Sequence, residues 1–284
     1  MRDGPTSIRP ATHDDLPAIR SILAEHGNDG PHGAVDIVGP YVEHLIATGR
    51  TLVVDEGDGP IAFGSTVATG HGRHLTDLFV RNDRLGRGIG GPLLEALFGD
   101  AWPRTTFASD DPRAMPLYIR AGMAPLWTQL YMGGTAADIP SADEALTVDD
   151  ADPGSIAAIE RSWTRADRPA DHAFWARQAE ADPFVVVDRG AIVGAGYARA
   201  RQKGPARAID RFLVRPGRDP LGPICAALRR AARGGRVFAC MPGPNPAVRP
   251  LLEAGFRIED RDTFMASAPD LVDPARLLPN PGML

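Results

Sequence analysis

The sequence predicts an α/β chain of two tandem units, each a mixed, mostly antiparallel sheet flanked by helices. Three observations predict it. Amphipathic helical stretches precede short apolar strand patterns; a glycine-rich segment, GRGIGG at 86–91, divides a strand from a helix; and the same order begins again after a break near residue 140. RHLTDLFVR at 73–81 is matched by RAIDRFLVR at 207–215, and DPRAMPLYIRAGM at 111–123 by NPAVRPLLEAGF at 245–256. Val80 and Val214 lie 134 residues apart, and Gly122 and Gly255 lie 133 apart. Two distant landmarks whose offsets agree to within one residue indicate an internal duplication.

In chain order, Thr12 is a hydroxyl cap three residues before Asp15, and LPAIRSIL then recurs at helical spacing. DIVGPYVEHLIATG (36–49) is a second amphipathic stretch, started or interrupted by Gly39-Pro40. TLVVDE from Thr51, IAFGSTVAT from Ile61 and HLTDLFV from His74 read as strands, the first two joined by a turn at Gly57-Asp58-Gly59-Pro60. PLLEALF is helical, TTFAS (105–109) is a short strand, 111–123 is a helix closed by Gly122, and LWTQLYM (126–132) is a last strand. GGTAADIPSADEA (133–145) lacks apolar periodicity and reads as a linker, which sets the units at 1–138 and 139–284. In the second unit, 152–163 is amphipathic, and FVVVDRG (184–190) and AIVGAGYARA (191–200) are strands.

The 284 residues are 43% hydrophobic and 24% charged, the balance of a soluble globular protein. No run approaches the ~18–20 apolar residues of a membrane span, and the first residues hold no apolar signal region, so a cytoplasmic monomer or homodimer with no membrane partner is expected. Cys225 and Cys240 are too few for a disulfide framework and lack metal-ligand spacing, so no metal is expected. Residues 1–140 hold 17 Asp and Glu against 11 Arg, a difference of −6, whereas 141–284 hold 19 against 20. An acidic first half argues against nucleic acid and is compatible with a cationic small molecule or simply a solvated surface.

Three phosphate-binding loops compete for GRGIGG. A P-loop needs Lys-Ser/Thr at its end, and Pro92-Leu93 stands there instead. A dinucleotide fingerprint is spelled by Gly86, Gly88 and Gly91 with Asp110 downstream, which would make a nicotinamide-dependent oxidoreductase. In that fold the first glycine follows its strand directly, yet RNDRL (81–85) intervenes here. The third reading fits the context: HLTDLFVRNDRLGRGIGGPLLEAL resembles the acetyl-CoA-binding motif of the GNAT superfamily, the acyl-CoA-dependent N-acyltransferases. Leu85 stands where the family has Gln or Arg. DPRAMPLYIRAGM resembles the family's second CoA motif, with Ala114, Tyr118 and Gly122 on its alanine, tyrosine and glycine, Asp111 in place of Asn and Met123 in place of Phe. The resemblance covers 6–132 well and 147–266 weakly.

The resemblance implies two tandem GNAT-like domains and acetyl-CoA as co-substrate. Leu85, Gly86, Arg87, Gly88, Ile89, Gly90 and Gly91 would hold its pyrophosphate by main-chain N–H groups and a helix N-terminus, with Arg113 nearby. Main-chain N–H groups around Phe79 and Val80 would meet the acyl carbonyl. Tyr118, with a reference pKa of about 10, would protonate the departing thiolate, or is simply a residue of an amphipathic helix. Asp77 would be the base, or a surface strand carboxylate; strand alternation puts it on one face with Leu75 and Phe79. His26, Asn28, Asp29 and Tyr41 are the candidates for a small-molecule amine acceptor, while Trp127 and Tyr131 read as core.

The second unit reads as a degenerate copy. Pro220 and Pro223 remove N–H donors from its loop, Arg211 stands at the place of Asp77, and Leu251 or Leu252 at that of Tyr118. It is expected to serve packing or to wall the acceptor pocket. The expected function is an N-acetyltransferase working by direct attack of a primary amine of a small molecule or peptide at the N-terminal site; the alternative is a non-catalytic acyl-CoA-binding or sensing protein.

Overall fold

The computed structural model describes residues 7–27, 38–70, 72–141, 145–201, 206–280 and 282–284. Near its start, the Thr12 main-chain N–H donates to Asp15 at 2.7 Å. The Asp15 N–H returns a bond to the Thr12 carbonyl at 3.1 Å. Arg9 also donates to the Asp15 carboxylate, holding it at about 2. That reciprocal cap starts the first helix where the sequence places it.

The first unit runs β1 (Ser7–Pro10), α1 (Leu16–Glu25), α2 (Val38–Thr48), β2 (Arg50–Asp55), β3 (Pro60–Ala68), β4 (Arg73–Val80), α3 (Gly90–Phe98), β5 (Arg104–Ala108) and α4 (Ala114–Arg120). Its strands lie in chain order, antiparallel up to β4, with β5 parallel to β4. Strand alternation divides the core. Val53 and Phe63 pack with Ile19, Ile22 and Val42 of α1 and α2. Leu52, Val54 and Leu75 pack on the other face with Leu93, Leu94 and Leu97 of α3 and Tyr118 of α4. The helix expected over 111–123 begins only at Ala114, because Asp111 turns the chain first by accepting from the Ala114 N–H.

The second unit holds β6 (Ala124–Thr135), β7 (Leu146–Asp150), α5 (Pro153–Thr164), α6 (Pro169–Trp175), β8 (Asp182–Asp188), β9 (Ala191–Ala200), β10 (Arg207–Val214), α7 (Leu221–Ala232), β11 (Arg236–Pro242), α8 (Val248–Ala254), β12 (Arg257–Ala266) and β13 (Leu277–Leu278). Its sheet order is β12-β6-β11-β10-β9-β8-β7, with β13 added on β10.

Contacts assign Met1–Ala124 with Met265–Ala268 and Met283 to the first unit, and Pro125–Phe264 with Pro269–Gly282 and Leu284 to the second. The division therefore differs from the 138/139 boundary read from composition. Gly133, Gly134 and Thr135 are not linker but the end of β6, paired with Phe238, Val237 and Arg236 of β11. Glycine is needed there because an added Cβ would stand 2.5 Å from the Phe238 ring at 133 and 2.4 Å from the Phe256 ring at 134. The last strands of the two repeats are thus exchanged. β6 pairs with β11, while Ser267 lies beside β5, donating its N–H to the Arg104 carbonyl and accepting from the Arg104 N–H at its Oγ. A chain cut at 138 lacks that segment.

The duplication is visible in backbone detail. β4 carries a bulge that leaves Thr76 unpaired, and β10 one that leaves Asp210 unpaired, positions separated by the same 134 residues. Helix α4 ends with the Met123 N–H on the Tyr118 carbonyl, and α8 with the Phe256 N–H on the Leu251 carbonyl. Leu251, not Leu252, is therefore the counterpart of Tyr118. The bulge also corrects the face assignment: Leu75 packs toward α3, whereas Phe79 packs toward α1 and α2, and the Asp77 carboxyl meets Tyr41 of α2. One extra residue between them inverts the alternation.

Candidate active site

β4 and β5 are paired only from Arg73–Leu75 to Arg104–Thr106 and then diverge. Among the described residues, β4 beyond Leu75 is paired with β3 alone. The Arg81 N–H donates to the Ile61 carbonyl at 2.9 Å, so alternation turns the Phe79 main chain toward β3 and the Val80 N–H and carbonyl toward the vacated edge. Of the two main-chain donors expected from sequence, Val80 is presented to the gap; Phe79 is turned away by the ladder.

After β4 the chain makes a short turn over Asn82–Arg84, fixed by Arg84 on Glu56 at 2.6 Å. Leu85 is extended, and Gly86 (φ 77°) and Gly88 (φ 78°) are left-handed, a conformation that glycine adopts without strain. An added Cβ at either position meets nothing within 4 Å, so the loop borders open space. Helix α3 then begins at Gly90, whose first turn leaves N–H groups without intrahelical partners. Gly90 and Gly91 face Leu117 of α4, an added Cβ standing 3.5 and 4.0 Å from it, so they serve close helix packing. Ile89 packs into the same core, and Arg87 is exposed. This donor set fits a pyrophosphate: a left-handed glycine loop, helix N–H groups and space in front of them. Arg113 is exposed and its guanidinium is bound to Asp111, at 2.5 Å. That bond holds Asp111 at about 2.

On the α1–α2 face, the Tyr41 hydroxyl donates to Asp77 Oδ2 at 2.9 Å, and the Thr76 hydroxyl lies 2.9 Å from the same oxygen. Burial pushes the Asp77 carboxyl up to about 6, the two hydroxyls pulling the other way. Its side chain keeps partial exposure, so this is a carboxylate at neutral pH that accepts a proton more readily than a surface one. Burial likewise lifts the Tyr41 phenol well above its usual range, reinforced by the Asp77 charge. His26, at the end of α1, places Nε2 2.8 Å from the Val80 carbonyl, and its ring lies 5.2 Å from that of Phe79. Tyr118 is buried on α4. Asn28 and Asp29 lie outside the described residues. Thr76 was not legible in the sequence, since a bulge leaves no periodic signal. Trp127 and Tyr131 belong to the second unit, where Trp127 stacks on Phe264 and the Tyr131 hydroxyl donates to Asp262.

The corresponding gap in the second unit is filled by its own chain. β10 is paired with β11 only at Arg207 and Ala208, and beyond that point β13 pairs with Phe212 and Leu213. The Arg215 N–H donates to the Val193 carbonyl just as Arg81 does to Ile61, which leaves the Val214 N–H to face the gap, where it donates to the Arg276 carbonyl at 2.9 Å. The loop before α7 differs as well. It is shorter, α7 opening at Leu221 after Val214. The Leu221 N–H is taken by Asp219, and a Cβ on Gly222 would meet Leu146 at 3.1 Å.

Arg211, at the place of Asp77, sits in a buried ionic cluster. It donates to Glu160 at 2.6 Å, His172 Nε2 lies 2.9 Å from the same carboxylate, and Arg211 and Arg168 both donate to the Leu284 carbonyl. Burial alone would raise the Glu160 pKa, but Arg211, His172 and Arg168 together hold it well below the usual carboxylate range. We expect Arg211→Met to destabilise the protein by about 3–5 kcal/mol, because Glu160 stays buried and loses the guanidinium that donates to both of its oxygens. Chemical denaturation checks this, and Glu160→Met together with Arg211→Met is expected to recover most of the loss. Cys225 and Cys240 are both free and buried, which pushes their thiols up.

Among the described residues no group of three or more His, Cys, Asp or Glu is placed to hold a metal ion, and no helix is long and apolar enough to cross a membrane. The element order, the parallel β4–β5 pair that splays and the glycine loop feeding α3 define the fold of the GCN5-related N-acetyltransferases, present here in two copies. By sequence, no family model matches the chain and no curated protein does. By structure, it is similar to a candidate acetyltransferase from Pyrococcus horikoshii (TM-score 0.73, 17% identity, 98% of this chain and 94% of that one). It is similar also to a GCN5-related N-acetyltransferase from Sphaerobacter thermophilus (TM-score 0.61, 17%, 93% and 96%). A tandem GNAT protein from the clavulanic acid biosynthesis pathway aligns over 94% of this chain and 100% of its own (TM-score 0.63, 15% identity).

Proposed function

We propose that the chain is an acyl-CoA-dependent N-acyltransferase that moves an acetyl group from acetyl-CoA to a primary amine of a small molecule, using the first unit alone. The observation that carries this is the contrast between the copies. In the first, a strand edge to which the Val80 N–H is turned adjoins a left-handed glycine loop; in the second, the equivalent edge is taken by Leu277–Leu278 and Arg276. Bound acetyl-CoA supplies an activated thioester carbon. The residues of this chain then act on protons and charge. Asp77 takes a proton from the incoming amine, and Tyr118 gives one to the sulfur as the carbon–sulfur bond breaks and the carbon–nitrogen bond forms. Val80 offers its N–H to the carbonyl oxygen as charge grows there. The acidic first half, with no lysine among residues 1–140, favours a cationic acceptor.

Calorimetric titration with acetyl-CoA is expected to return one site per chain, and Gly88→Val is expected to abolish it. Valine at φ 78° strains the loop and projects its side chain into the space in front of the N–H groups. Two comparable sites per chain, or full binding by Gly88→Val, would overturn the assignment. Thiol release across a panel of primary amines distinguishes turnover from binding alone; binding with no release for any amine would favour a non-catalytic acyl-CoA-binding protein.

A further inference from the structure

We propose that His26 is a positioning residue that holds the end of β4 so that the Val80 N–H reads the acyl carbonyl of the donor. The inference rests on the acyl-CoA reading above and adds a residue to it. Where β5 diverges, the edge of β4 loses its ladder partner, and a main-chain carbonyl turned to that edge needs a substitute. His26 supplies it. Because a carbonyl only accepts, Nε2 carries the proton, and the bond to Val80 O at 2.8 Å is made with the ring neutral or charged.

The neighbouring residues are held from the same helix end. Glu25 accepts from the Asn82 N–H at 2.7 Å, its own main-chain oxygen accepts from Asn82 Nδ2 at 3.1 Å, and its carboxylate lies 3.8 Å from Arg81. On the other side, the Arg81 N–H is fixed to Ile61. The last turn of α1 thus clasps residues 80, 81 and 82, the point at which the strand leaves for the glycine loop.

The second copy shows what this edge does when it is satisfied otherwise. There the Val214 N–H, the equivalent of Val80, already holds a carbonyl, that of Arg276. Eleven residues after the capping Asp152, where His26 follows Asp15, that copy has Trp163. An N–H at this position is shaped to receive a carbonyl, and the histidine is present in the copy that leaves its edge for one to arrive.

The test compares acetyl-CoA with CoA, which lacks the acyl carbonyl, by calorimetry on the full chain. The wild type is expected to bind acetyl-CoA more tightly than CoA by roughly tenfold, the worth of one well-made hydrogen bond. His26→Leu is expected to lose that preference while CoA affinity stays close to wild type, and His26→Gln, which keeps an N–H donor, to restore it. A purely structural histidine would move both affinities together. A His26→Leu protein that keeps the full preference overturns the proposal, as does a wild type that binds the two equally. Should His26→Leu fail to fold, His26→Gln and His26→Asn decide it by whether the preference follows the reach of the donor. A wild type that binds neither molecule defeats the acyl-CoA reading itself.

Discussion

Tyr118→Phe is expected to lower turnover by about 10²–10⁴-fold while changing acetyl-CoA affinity little. Tyr118 lies on α4, only 7% exposed, among Leu93, Leu97 and Met123. Its backbone is fixed by the Met123 N–H on its carbonyl and by the left-handed Gly122 that follows. The ring therefore packs identically as phenylalanine, and what disappears is the hydroxyl. A proton donor to the departing sulfur matters in the transition state and not in the bound complex, so the loss falls on kcat. In the second copy the same place is Leu251, fully buried and unable to donate. Steady-state thiol release with the best acceptor, paired with calorimetry, checks it; unchanged turnover would make Tyr118 a packing residue.

Asp77→Asn is expected to move activity and stability in opposite directions. Turnover falls because the carboxylate that receives the amine proton is gone, again by about 10²–10⁴-fold at neutral pH. In the wild type the rate is expected to follow the ionised fraction of Asp77, rising with pH through about 6 and levelling above it; the variant is expected to lose that limb. Stability runs the other way. The folded-state pKa, about 6, lies above the ordinary 3.8, so the folded state disfavours the charge. That cost is absent below the ordinary value, grows as pH rises toward 6 and is complete above it. By linkage it amounts to at most about 3 kcal/mol. Asparagine still accepts from Tyr41, so the variant is expected to melt higher than wild type at pH 8 and not at pH 4. A lower melting temperature at both pH values would show that the carboxylate is structural.

Much of the molecule is legible along the chain because it rests on local chemistry. The Thr12–Asp15 cap, the hairpin at Gly57–Pro60 and the glycine that closes α4 are each decided within a few residues, and the structure has them where the sequence puts them. The left-handed pair at Gly86 and Gly88 is of the same kind, since that backbone conformation favours glycine. The repeat was also readable, because both copies need the same apolar periods to cover the two faces of a sheet.

What the sequence by itself determined, then, is the duplicated α/β framework, the phosphate-type loop in one copy and the proline-interrupted loop in the other. Tertiary structure alone decided three further things. It turned Gly133 and Gly134 from linker into strand, because the Phe238 and Phe256 rings occupy the space a side chain would need. It placed one unpaired residue, Thr76, in β4, and so set Asp77 with Tyr41 on the face opposite Leu75. And it filled the gap beside β10 with residues from the far end of the chain while leaving the edge at Val80 to His26. These depend on partners dozens of residues away. A period of two or of 3.6 residues records which face a side chain takes, but not which strand its backbone meets.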